Sequence, residues 1–123
     1  IYASNTCHDI CGGSNTYHEI VKLLLDAKAD PNLTDRKKRT ALMHAASAGN
    51  HRIVNLLIKS GAYLDAQDKY GNTALIYAAA GKCNSPYRGT EHGTECVRLL
   101  VEANANIFIQ NNLEKDALLQ AFS

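Results

Sequence analysis

The heptapeptide Thr40-Ala41-Leu42-Met43-His44-Ala45-Ala46 returns as Thr73-Ala74-Leu75-Ile76-Tyr77-Ala78-Ala79, 33 residues further along. The same offset carries Ala29-Asp30-Pro31-Asn32 onto Ala62-Tyr63-Leu64-Asp65, and Ile20-Val21-Lys22-Leu23-Leu24 onto Ile53-Val54-Asn55-Leu56-Leu57. A period of that length, divided into two short apolar segments and a polar turn, is the signature of a solenoid of helix pairs. One such unit cannot bury its apolar stripe alone, so neighbouring units must stack to make a core. Thr40 and Thr73 each precede an Ala-rich run and are placed to cap a helix by accepting a backbone N–H. The pairs Ala45-Ala46 and Ala78-Ala79 permit close approach of neighbouring helices, while Ile53, Val54, Leu56 and Leu57 recur at helical spacing and form the expected buried stripe.

The middle unit, DRKKRTALMHAASAGNHRIVNLLIKSGAYLDAQD, and the start of the next, DKYGNTALIYAAAGK, resemble the ankyrin repeat. That family's pattern is a turn ending in D-x-x-G-x-T-P-L, a first helix with A-A, then G-H, I-V-x-L-L-L and G-A. The resemblance spans nearly the whole chain and implies an all-α solenoid of stacked helix-turn-helix units. Departures are local. Ala41 and Ala74 replace the family's proline, and Met43 and Ile76 replace its histidine, removing a side-chain hydrogen bond expected there. Lys38 and Glu114 stand where the turn glycine stands in Gly71, which should strain or reshape two turns because a positive φ is costly with a Cβ.

Extending the register divides residues 1–123 into one domain: a partial repeat with an inserted loop (1–34), a plain repeat (35–67), a repeat with an inserted loop (68–110) and the start of a further repeat (111–123). Leu99-Leu100 follow Leu56-Leu57 by 43 residues, and Ile1-Tyr2-Ala3 is similar to Ile76-Tyr77-Ala78, so the first and third units carry long insertions between their two helices. Neither end has the polar cap that terminal repeats normally supply, and the expectation is a fragment or ordered region of a longer protein, checked by the length of the natural transcript.

A chain of 123 residues with 46% hydrophobic content suffices for a single modest core. A formal charge of +1 supplies no global attraction to nucleic acid or an anionic membrane, and no apolar run approaches the ~18 residues of a membrane span. The four cysteines, Cys7, Cys11, Cys83 and Cys96, lack a small secreted framework and suggest a reducing compartment: cytoplasmic, with the nucleus as alternative.

The resemblance implies a concave binding face made of turn tips and the outward side of each first helix. Carried over residue by residue, the first turn offers Arg36, Lys37, Lys38 and Arg39. The second offers Lys69, Tyr70 and Asn72, and the third Leu113. On the first helices the outward positions are Tyr2, His44, Ser47, Tyr77 and Ala80. Tyr and Arg are the types most enriched in binding hot spots. The expected partner is another protein or peptide, of acidic or mixed character with an apolar anchor, bound by a monomeric domain. The plainer readings are a solvated basic turn, tyrosines packed between repeats and an ordinary surface histidine at His44.

The inserted loops run from about Ser4 to Tyr17 and from about Lys82 to Gly93, on the side away from the turn tips. They hold Cys7, His8, Asp9 and Cys11, and Cys83, Tyr87, Arg88 and His92, with His18 and Cys96 just beyond. A C-x-x-x-C without a second pair is a weak metal signal, so no metal or cofactor is expected and the thiols are read as free. No phosphate-binding, nucleophile-elbow, zincin or dinucleotide fingerprint occurs, so an enzyme is not expected. The rival class is a nucleotide- or RNA-binding module, with Arg36 to Arg39 on phosphates and Tyr70 and Tyr77 as stacking platforms. A last resemblance concerns Leu24 followed by Asp30-Pro31-Asn32: it is similar to the ankyrin asparagine modified by an oxygen-dependent hydroxylase, with Asn32 as acceptor. The favoured, plainer reading is that Asn32 bonds within its turn.

Overall fold

The computed structural model describes residues 16–80 and 91–122. Tyr2, Cys7, Cys11, Cys83, most of the two inserted loops and the placement of those loops relative to the turns lie outside the described residues. The described residues form six helices: α1 (Thr16–Asp26), α2 (Ala41–Ala48), α3 (His51–Lys59), α4 (Ala74–Ala80), α5 (Glu91–Glu102) and α6 (Ala117–Ala121). Among the described residues there is no strand beyond an isolated antiparallel bridge, Thr34 to Thr40, at the base of one turn. The chain is an all-α solenoid, in which α2, α4 and α6 stack as an inner layer and α1, α3 and α5 as an outer one.

Each inner helix starts for the same reason. The Thr40 hydroxyl accepts from Met43 N (3.3 Å), Thr73 from Ile76 N (3.2 Å), and Asp116 Oδ1 from Leu119 N (3.0 Å), so the last repeat, begun at residue 111, substitutes a carboxylate for the threonine cap. Inner helices of five to eight residues are too short to be stable alone, and packing must hold them. Leu42, Met43, Ala45, Leu75 and Ala78 of the inner layer are fully buried with Ile53, Val54, Leu57, Cys96 and Leu100 of the outer layer. The alanines have no bulk to separate α2 from α4, as the sequence required.

The outer helices end alike too. Ala29, Ala62 and Ala105 N–H each donate at 3.0 Å to a carbonyl five residues back, with Lys28, Gly61 and Asn104 at positive φ just before them. The insertions are not wholly loop. α3 begins at His51, behind an Asn50 cap and the left-handed Gly49, whereas α5 begins three residues ahead of the equivalent Thr94, and α1 two ahead of the equivalent His18. The expected loop ends at Tyr17 and Gly93 are therefore corrected. The tight Gly-Asn turn that stops backward growth of α3 has no counterpart in the other two units, so their outer helices extend into the insertion.

Turn strain is present, but the turns are not reshaped. Lys38 and Glu114 adopt φ of 60°, beside 77° for Gly71, and keep the same closing bond: Lys38 N to Asp35 O, Gly71 N to Asp68 O and Glu114 N to Asn111 O. A non-glycine left-handed residue costs about 1–2 kcal/mol, and several turn hydrogen bonds of about 0.5–1.5 kcal/mol each offset it. A Cβ on Gly71 would stand 2.7 Å from Asn112 Oδ1 and 2.9 Å from Asn112 N, whereas one on Gly61 (φ 83°) meets nothing within 4 Å. Gly61→Ala is therefore expected to cost about 1 kcal/mol from φ alone, and Gly71→Ala clearly more, while Lys38→Gly is neutral or stabilising. Urea midpoints of the three variants check the order; equal losses for the two glycines would contradict it.

Candidate binding surface: the turn row and the inner helices

Each turn is organised by one acceptor side chain that is not among the expected contact residues. Asp35 Oδ1 accepts from Lys37 N and Arg39 N (both 2.9 Å), Asp68 Oδ1 from Tyr70 N and Asn72 N (both 2.9 Å), and Asn111 Oδ1 from Leu113 N (2.9 Å) and Lys115 N (3.0 Å). Such an acceptor closes its own turn and fixes the tip. The signal was in the sequence, because the repeat offsets put Asp, Asp and Asn at the same register position.

The turns are then tied to one another. Lys69 N donates to Lys37 O (2.8 Å) and Asn112 N to Tyr70 O (3.0 Å). Asn112 Nδ2 adds a bond to Lys69 O (3.1 Å), Asn111 Nδ2 one to Asn72 Oδ1 (2.9 Å), and Gln67 Nε2 reaches both Gly71 O (2.9 Å) and Gln110 O (3.1 Å). Two further rungs lie below. Asn32 Oδ1 accepts from Tyr63 N (2.7 Å) and Asp65 Oδ1 from Asn106 N (2.8 Å). Asn32 thus bonds to the next unit with its side chain, and only its backbone N–H stays within its turn, on Asp30 Oδ1 (2.8 Å), which corrects the plainer reading of that residue.

The second carboxylate oxygens reach the inner helices. Asp35 Oδ2 takes Arg39 Nε (3.1 Å) and His44 Nε2 (3.2 Å), and Asp68 Oδ2 accepts from the Tyr77 hydroxyl. Since the carboxylate only accepts, the His44 proton sits on Nε2. These struts overturn the outward placement of two residues. His44 is buried, at 3% exposure, and Tyr77 is half-buried with its hydroxyl turned to the turn. The reason is shared: a residue nine positions after the turn carboxylate lies beneath it once the inner helix has formed. Arg39 and Asn72 are half-buried and engaged with neighbouring turn side chains; Ser47 is exposed on α2.

Acidities follow. Partial burial opposes ionisation of Asp35, but hydrogen bonds from Arg39 N, His44 and Lys37 N, with the Arg39 charge, outweigh it and hold the carboxyl at about 2. Burial lowers the affinity of His44 for a proton, and the Asp35 bond only partly restores it. Burial and then the Asp68 bond push Tyr77 up to about 12.

The residues left at the tips are Arg36, Lys37, Lys38, Lys69, Tyr70 and Leu113, all exposed. Elsewhere an apolar groove of about 520 Å³ lies between α4, α5 and α6, with Val97, Val101, Phe108 and Leu118 on its walls. Leu118 is 69% exposed, where the equivalent Leu42 is 1% exposed under α3. Among the described residues no group of three metal-ligating side chains occurs, and no helix is long and apolar enough to cross a membrane.

Repeat register, caps and tied turns define a class, and comparison with known families agrees: residues 8–111 match a family model described as ankyrin repeats (3 copies), and the chain belongs to the ankyrin-repeat family. Ankyrin repeats are generally protein-protein interaction modules and generally not enzymes. A comparison with curated proteins found none that matches the chain.

Stability is expected to fall on acidification in two windows. His44 binds protons more weakly when folded, so stability drops as pH falls through the ordinary histidine value of 6.5. Asp35 is depressed, so its contribution is present above the ordinary 3.8 and is lost as pH falls toward about 2. His44→Gln should flatten the upper window and Asp35→Asn the lower in urea titrations across pH; wild-type slopes in both variants would contradict the strut assignment.

Proposed function

We propose that this domain recruits a partner protein or peptide segment, as a scaffold or adaptor module, through the surface formed by its turn row and the exposed side of its inner helices. The observation that carries this reading is the chain of inter-turn bonds, Lys69 N to Lys37 O and Asn112 N to Tyr70 O, which fixes three tips as one continuous row before any partner arrives. A preformed surface lowers the ordering cost of association. Arg36, Lys37, Lys69, Tyr70 and Leu113 form the outer contact set, with Ser47 on α2; His44, Arg39, Asn72 and Tyr77 support it from within. The module acts in the cytoplasm, with the nucleus as the alternative, and as a monomer. The exposed cations beside Tyr70 keep one second reading in play, a nucleotide- or RNA-binding module.

Affinity capture from cells with mass-spectrometric identification tests the reading, comparing the wild-type domain with a folded Arg36→Glu, Lys37→Glu, Tyr70→Ala variant. Loss of specific proteins from the variant is expected. Partners retained unchanged contradict the assignment of this surface, and recovery chiefly of RNA that is lost log-linearly with salt supports the second reading.

A further inference from the structure

We infer that the turn row is polarised, and that it takes a peptide segment whose carboxylates lie against Arg36, Lys37, Lys38 and Lys69 while an adjoining apolar side chain rests on Tyr70 and Leu113. This deepens the recruitment reading above and rests on it.

The formal charge of the chain, +1, hides a local imbalance. The first two turns each contain an aspartate, and a solvated aspartate beside such cations would neutralise part of their charge. Neither can turn outward to pair with them. Asp35 has one oxygen on two backbone N–H groups and the other on Arg39 and His44. Asp68 is buried, with one oxygen on two N–H groups and the other on Tyr77. Both negative charges point inward. Arg36, Lys37, Lys38 and Lys69 point outward on adjoining tips, and the backbone bond between Lys37 and Lys69 keeps the two tips together. A carboxylate supplied by another molecule is the complement that this arrangement lacks, and such complementarity governs encounter and register.

The row changes character along its length. Tyr70 is 48% exposed beside Lys69, and Leu113 is 74% exposed on the next tip, where the organising residue is the uncharged Asn111 and the left-handed position is Glu114. That tip carries Glu114 next to the half-buried Lys115 and so has no excess of cations for a carboxylate, and the matching ligand is acidic at one end only and apolar at the other. An aromatic and an aliphatic side chain held by fixed backbone are suited to an apolar anchor.

The test uses two fluorescein-labelled peptides of equal charge, one of glutamate and glycine only, the other with a Leu-Phe-Leu end, measured by anisotropy against the 1–123 chain at low and physiological salt. Three outcomes are expected together. The mixed peptide binds about tenfold more tightly than the all-acidic one. Lys37→Glu with Lys69→Glu weakens both by about tenfold or more. Tyr70→Ala with Leu113→Ala removes only the advantage of the mixed peptide. All four substituted residues are exposed, and circular dichroism confirms folding; should the charge variant not fold, weakening of wild-type binding with salt is the substitute readout. Equal binding of the two peptides, no binding of either, affinity unchanged by charge reversal or by salt, or tighter binding of an oligouridylate than of both peptides overturns the inference. Captured partners that depend on the turn row yet are not displaced by the mixed peptide also overturn it, and leave the recruitment reading intact.

Discussion

A single acceptor oxygen at the head of each turn is the constraint on which the rest depends. Asp35, Asp68 and Asn111 each gather two backbone N–H groups of the following residues. That closure sets the left-handed residue and places the cap, Thr40, Thr73 or Asp116, where an inner helix of only five to eight residues can start. Without it the turns would lose their common shape, and the bonds from Lys69 to Lys37 and from Asn112 to Tyr70 would have no fixed partners. The hydrophobic effect supplies the stability of the stack, but it is non-directional. The turn acceptors decide which way the tips face.

The same oxygens link structure to recognition. By holding both aspartates in internal bonds, the protein keeps its turns rigid and keeps those carboxylates from pairing with the neighbouring surface cations. Rigidity and electrostatic character have one cause, and a substitution at Asp35 or Asp68 would change both at once.

Much of the fold was legible in the residues because repetition is a strong signal: the 33-residue offset, the capping threonines and the alanine pairs each had a counterpart to confirm them. The candidate surface was less legible, and His44 shows why. α2 is almost uniformly apolar, so its sequence gives no polar face by which to orient the histidine; only the strut to Asp35, made once the helix lies under its turn, settles that it is buried. Tyr77 follows by the same geometry. Asn32 is only half legible: its N–H bond to Asp30 follows local turn rules, but its side-chain partner, Tyr63 N, lies in the next unit and out of their reach. The longer α1 and α5 escaped notice since an insertion has no repeat against which to set its helix boundary.

Native-state hydrogen exchange at individual backbone amides reads directly whether the turn row is preformed. The Lys69 and Asn112 amides sit on exposed tips, yet they are expected to exchange slowly, and Asp68→Ala is expected to speed the amides of Tyr70 and Asn72 together with that of Lys69. Exchange of the Lys69 and Asn112 amides at the rate of an unstructured chain, while the α2 and α4 amides stay protected, would show the tips to be mobile and contradict a preformed row.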